Sequence, residues 1–389
     1  MRQSFFALAT FALLLAACGE QPKTSTPATP PTTVKASVGS PTTASGKARI
    51  ALLLPLSGQA SAVGQSMQQA AEMALFDTGA KELGLASYDS GETPESAAEA
   101  YRKARTDGVA LVLGPLFGAS ARALAPLVAQ GGANVVSFSN DEQVATRGVF
   151  IMGIAAPPQV RRVVDYSADQ GIKRFAVLAP QTSYGEQMAR TLESQVTVRG
   201  GRVVASELYD PNTADLGSPA RRLAGAAKGE DRLAILVPVA PPRLSALMSA
   251  LAAAGIDSKS AQFLGTGVWD VPTIGNDPAA RGGWYAAPDP AKRADFERRF
   301  LATYGRPPNR LATLAYDGVA LAANLARVKS GGDFSVEAIT NPNGWSGVDG
   351  IFRFLPDGRS ERALAVIEVQ SNRGVVISPA PTTFARPAL

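Results

Sequence analysis

The 389-residue chain has no histidine and only one cysteine, Cys18. Without histidine, imidazole acid–base catalysis, Ser–His and Cys–His nucleophile pairs and His-ligated zinc sites are excluded. A single cysteine cannot close an internal disulfide, so the folded core has to be held by apolar burial. Carboxylates are present, but they fall on the faces of expected helices, and no two form a catalytic pair at neighbouring strand ends. The reading is therefore of a protein that is not an enzyme and carries no metal and no cofactor. Formal net charge is only +5, and no basic run has interleaved aromatics, which argues against a nucleic-acid partner. The apolar run from Phe5 to Leu15 is too short to span a bilayer.

That run follows Arg2, the charge-then-apolar order of a secretory signal, and it ends in Leu15-Ala16-Ala17-Cys18, a lipobox. Residues 1–17 are expected to be a lipoprotein signal peptide, and the Cys18 thiol the site of lipidation. Acyl chains on one residue give a firm membrane anchor. Gly19 stands where an aspartate would favour retention in the inner membrane, so the expected location is periplasmic, lipid-anchored and outer-membrane rather than inner. Residues 18–47 are rich in Thr, Ser, Pro and Ala with little to bury, and read as a disordered tether. At the polyproline rise such a tether reaches up to about 90 Å.

The folded part opens with RIALLLPLSGQASAVGQSMQQAAEMALFD, residues 49–77, which reads as a buried strand, a loop of small residues and a helix. Ser57, Gly58 and Ser61 in that loop either cap the helix or leave backbone N–H groups free for an anionic ligand atom. The loop matches neither G-x-x-x-x-G-K-[ST] nor G-x-G-x-x-G. Further strands are expected at 85–88, 111–114, 134–138, 175–179, 202–208, 233–237 and 262–265, with helices between them. This alternation predicts an α/β fold with parallel sheets covered by helices. Roughly 340 residues exceed the usual single-domain size, so two lobes are expected. The Pro-rich breaks FIMGIAAPP and WYAAPDP mark crossings, which gives one lobe of 48–154 plus 287–356 and a second of 155–286 plus 357–389.

The segments IALLLPLSGQASAVGQ, LVLGPLFGASARALAPL, ANVVSFSN and RFAVLAPQTSYGE are similar to the strand and cleft-loop motifs of the leucine-binding branch of the type I periplasmic binding proteins. Within that branch, the tethered lipoprotein form, LAYDGVALAANLA and GVDGIFRFLPDGRSERALAVIEV resemble the penicillin-binding-protein activator lipoproteins. The resemblance covers nearly all of Lys47–Gln370 and implies two doubly wound lobes with a three-stranded hinge and an interlobe cleft.

Carried over position by position, the resemblance implies ligand contacts at Phe117, Gly118 and Ser120 on the second cleft loop and at Ser139, Asn140 and Asp141 on the third. It implies Tyr184 and Thr266 from the other lobe, with Trp269 beside them. The acid that holds a ligand ammonium in the family is missing from Leu264-Gly265-Thr266-Gly267. Asp141 or Asp270 could replace it, or could be an N-cap and a turn residue; Phe117, Phe138 and Trp269 could equally pack as an aromatic wall. Two functions remain: an adaptor that activates a peptidoglycan synthase, or the substrate-binding component of an ABC-type importer for an amino-acid-like ligand. An ammonium buried without a counter-charge costs several kcal/mol, which favours the adaptor.

Overall fold

The computed structural model describes residues 47–371 and 373–384. Signal segment, Cys18 and the tether up to residue 46 lie outside the described residues.

The first lobe is built on Ala48–Leu54 (β1), Leu83–Asp89 (β2), Leu111–Leu113 (β3), Asn134–Ser137 (β4) and Val149–Ile151 (β5). They form one parallel sheet in the order β2-β1-β3-β4-β5. β1 is buried along nearly its whole length, as a central strand covered on both faces must be. The connecting helices are Ser61–Thr78 (α1), Pro94–Thr106 (α2) and Gly118–Ala129 (α3). Thr93 caps α2 through a reciprocal pair of hydrogen bonds with Ser96, so that helix starts where its side chains dictate.

The second lobe takes Ala156–Asp169 (α4), Arg174–Pro180 (β6), Ser183–Val198 (α5), Arg202–Tyr209 (β7), Gly217–Ala226 (α6), Leu233–Leu236 (β8), Arg243–Ala253 (α7), Ala261–Gly265 (β9) and Trp284–Ala287 (β10). The chain then returns to the first lobe with Pro290–Tyr304 (α8), Ala312–Ala326 (α9), Val336–Ile339 (α10) and a small antiparallel sheet of Trp345–Gly347 (β11), Gly350–Phe354 (β12) and Ser360–Arg362 (β13). α9 lies along α1, and Phe352 and Phe354 enter the same core as Leu54 and Phe150. Ala365–Gln370 (β14) and Arg373–Ser378 (β15) complete the second sheet, in the order β15-β14-β10-β9-β8-β6-β7.

The second sheet is not wholly parallel, as the sequence had led one to expect: β14 runs antiparallel to both β10 and β15. β14 ends at Gln370 and β15 starts at Arg373, a gap far too short for a parallel crossover.

The chain passes between lobes three times, at Met152–Ala155, at 288–289 and at Ala363–Leu364. Arg362, beside the third passage, donates from Nη2 to the Met152 carbonyl at the first (3.3 Å). The C-terminal tail makes a non-covalent fourth. Ser378 accepts a hydrogen bond from Arg162 of α4 (2.6 Å) and Ala380 packs on the second core, while the Phe384 ring sits 4.7 Å under the Arg353 guanidinium of β12.

Candidate ligand cleft

In the first sheet the connections change direction between β1 and β3, the point where open α/β sheets take their ligands. The β1–α1 loop sits there. Its N-cap is Ala60, with no side-chain cap, so neither Ser57 nor Ser61 caps the helix. Amides at both ends of the loop are already engaged. Asp89 Oδ1, at the end of neighbouring β2, accepts from Leu56 N and Gly91 N at 2.9 Å each, and Glu92 Oε1 accepts from Ala60 N at 2.6 Å. Gly58 turns with φ 79°, and a Cβ there would stand 2.7 Å from Glu92 Oε1. Burial alone would raise the Asp89 carboxyl, but hydrogen bonds from Ser57, Gly91 and Leu56 outweigh it and hold it below the ordinary value. Two carboxylates of the chain itself thus accept from amides that flank the turn between β1 and α1.

The second and third loops meet. A Cβ at Gly118 would lie 3.2 Å from Ser139 Oγ and 3.3 Å from Asp141 Cβ. Ser139 is buried and its Oγ accepts from Asp141 N (3.1 Å). Asp141 in turn caps the short turn Glu142–Val144 through Gln143 N (2.9 Å) and pairs with Arg122 at 3.8 Å. Asp141 is therefore an N-cap. Asn140 beside it is exposed. Phe117 is the half-buried N-cap residue of α3, whereas Ser120 is buried and turns its hydroxyl to the Thr93 carbonyl (3.3 Å). Burial raises the Glu142 carboxyl above its ordinary value, against the partial pull of Arg161 of α4 and Arg359.

From the second lobe, Tyr184 Oη and Thr266 Oγ1 lie 2.8 Å apart and satisfy each other; burial raises the phenol above its usual range. Trp269 does not join them. Its indole is fully buried and donates to the carbonyls of Val237 (3.2 Å) and Val239 (3.1 Å), because the turn Gly267–Trp269 folds back onto the end of β8. Phe138 is likewise core.

Asp270 is not free for an ammonium either. It pairs with Arg293 of α8 (3.4 Å) and Arg310 before α9 (3.8 Å). Arg310 continues to Asp349 (3.1 Å), which also accepts from Thr313 Oγ1 (2.6 Å). Burial would raise Asp349, yet Arg310 and Arg362 hold it below the ordinary carboxylate range. Asp317, 4.0 Å from Arg362 Nη1, is fully buried and pushed up to about 7 by that burial. The chain Asp270–Arg310–Asp349 joins the lobes.

Asp89 and Glu92 were missed as site residues. The signal was there in Tyr88-Asp89-Ser90-Gly91-Glu92, two acids at a strand's C-terminal end; its meaning depends on β2 lying beside β1.

Residues 47–374 match the sequence profile of the periplasmic binding proteins. The chain belongs to that family. This periplasmic binding protein is similar in fold to a protein assigned as a branched-chain amino acid ABC transporter from Rhodospirillum rubrum, with TM-score 0.75, 21% identity and coverage of 85% of this chain and 100% of that one. An ABC transporter substrate-binding protein from Sphaerobacter thermophilus gives 0.67 at 20% identity, covering 86% and 97%. The leucine-, isoleucine-, valine-, threonine- and alanine-binding protein of Brucella ovis, in its closed conformation, gives 0.66 at 19%, covering 87% and 94%. Protein RP748 of Rickettsia prowazekii is 24% identical over 163 residues, 42% of this chain and 43% of that relative, so the match spans under half of the relative's length. Among the described residues no helix is long and apolar enough to cross a membrane.

Proposed function

We propose that this protein is a non-catalytic, lipid-anchored adaptor of the periplasm, held through Cys18 at the outer membrane in preference to the inner, that activates a peptidoglycan synthase of the penicillin-binding-protein class by contact. The observation that carries this reading is the engagement of the β1–α1 loop amides of Leu56 and Ala60 by Asp89 and Glu92. A ligand oxygen that reached those amides would have to displace two carboxylates of the chain, and a ligand ammonium would find Asp141 capping a turn and Asp270 held by two arginines. Charge in the cleft is thus committed to the fold. Membership of a binding-protein family supports the non-catalytic reading.

The second reading is capture of a small amino-acid-like ligand for an ABC-type importer. It is favoured by Gly118, Ser139, Tyr184 and Thr266 at the C-terminal sheet edges, and by the transporter proteins that share the fold. A thermal-shift screen separates the two, since ligand at a hundred times its dissociation constant adds about 2.7 kcal/mol. The adaptor reading expects no shift with any standard amino acid, together with crosslinking to a synthase and a faster synthase rate. A saturable shift with a branched-chain amino acid would replace it with the importer.

A further inference from the structure

In a parallel α/β lobe the helix C-termini share an edge with the strand N-termini, opposite the cleft. Three contacts draw that edge together in the first lobe. Ala48 N, at the start of β1, donates to Glu82 O before β2 (2.8 Å). Arg49 Nη1 donates to Asp107 O after α2 (2.6 Å), and Arg327 after α9 donates to Thr78 O at the end of α1. On this edge stand the two most exposed large apolar side chains that α1 and α9 carry to their ends, Phe76 at 86% and Val328 at 62%.

The same edge is basic. Lys47, Lys81, Lys103 and Arg105 are exposed and form no ion pair among the described residues. Against them stand Glu82, Asp77, Asp107 and Asp333, of which Asp77 is engaged by Arg299 and Tyr316 Oη, Asp107 by Tyr88 Oη (2.8 Å) and Asp333 by Lys329 (3.2 Å). The cleft edge of the same lobe is acidic instead, with Asp89, Glu92, Asp141 and Glu142. Helix dipoles account for cations in the last turn of α2, but not for an exposed phenylalanine. The tether expected over residues 18–47 also joins the fold here, at Lys47.

We propose that this edge rests on an anionic phospholipid bilayer, with Phe76 and Val328 in the interface and the lysines and arginine over the lipid phosphates. Basic charge near an anionic leaflet and an apolar wedge are the two attractions such a surface uses. The orientation rests on the anchor reading; the chemistry of the surface does not.

The test is flotation of the chain carrying Cys18→Ser, which cannot be acylated, with phosphatidylethanolamine–phosphatidylglycerol vesicles and with phosphatidylcholine vesicles. The expected result is binding to the anionic vesicles alone, abolished by salt. Phe76→Ser with Lys81→Glu and Lys103→Glu should weaken it at least about ten-fold with an unchanged thermal midpoint. No binding to anionic vesicles, or equal binding by the variant, overturns the proposal, as does a change in oligomeric state with Phe76→Ser, which would make the covering partner a second copy. Mass spectrometry of the native chain for acyl mass at Cys18 tests the anchor separately.

Discussion

Asp270 of the second lobe and Arg293 of the first stand 3.4 Å apart, with side chains only 16% and 14% exposed. Both ends are held: Asp270 follows the anchored Trp269, and Arg293 also binds Glu297 at 2.9 Å. Asp270→Asn leaves two guanidinium groups facing a neutral amide. The expected cost is about 1–3 kcal/mol, read as a lower denaturant midpoint. An unchanged midpoint would mean that the lobes do not depend on this pair.

Asp317 gives a pH signature. Its carboxyl is pushed up to about 7, by burial first and then by the charge of Asp349, against the pull of Arg362. The folded state therefore holds a proton that the unfolded state releases above the ordinary aspartate value of 3.8. Folded stability falls as pH rises from there to about 7 and then levels off, by at most about 4 kcal/mol. Asp317→Asn removes this slope, and urea titrations at a series of pH values should show the variant flatter than the parent across that window.

Asp89→Ala with Glu92→Ala frees the amides of Leu56, Ala60 and Gly91. An anion should take their place. Sulfate is expected to stabilise the double variant saturably, and the parent no more than chloride of equal ionic strength does. Equal responses would show that the loop is not an anion cradle.

Each lobe opens with the same close approach. A Cβ on Gly64 of α1 would lie 2.0 Å from the Pro55 carbonyl, and one on Gly185 of α5 would lie 2.0 Å from the Pro180 carbonyl. Either Gly→Ala change forces helix and strand end apart. A loss of about 3 kcal/mol or more is expected in each, measured by thermal or denaturant unfolding.

The α/β fold was legible because buried strands and Gly-stopped helices write their periods directly into the sequence, and the family because segments such as IALLLPLSGQASAVGQ and RFAVLAPQTSYGE resemble its motifs. The site was less so. Ser57 and Ser61 lie where a cap would, but only the backbone decides that Ala60 holds the position. Trp269 follows a strand end as a cleft residue would; a single turn carries its indole under β8 instead. Asp270 reads as a turn residue until α8 brings Arg293 against it, 23 positions along the chain. In the β11–β13 sheet the five residues of β12 alternate buried and half-buried and read as a strand, whereas β11 and β13, three residues each, carry no such period.

The tail's return to the first lobe sets how the molecule bears load. Entry is at Ala48 in β1 and the last described anchor is Phe384 beneath Arg353, so both extremities of the fold are moored to the same half. Tension arriving through the leader side is carried by that half alone. Its companion hangs from the passages near Met152, Asp289 and Ala363, and any swing of it draws on the tail that runs from Arg162 to Arg353.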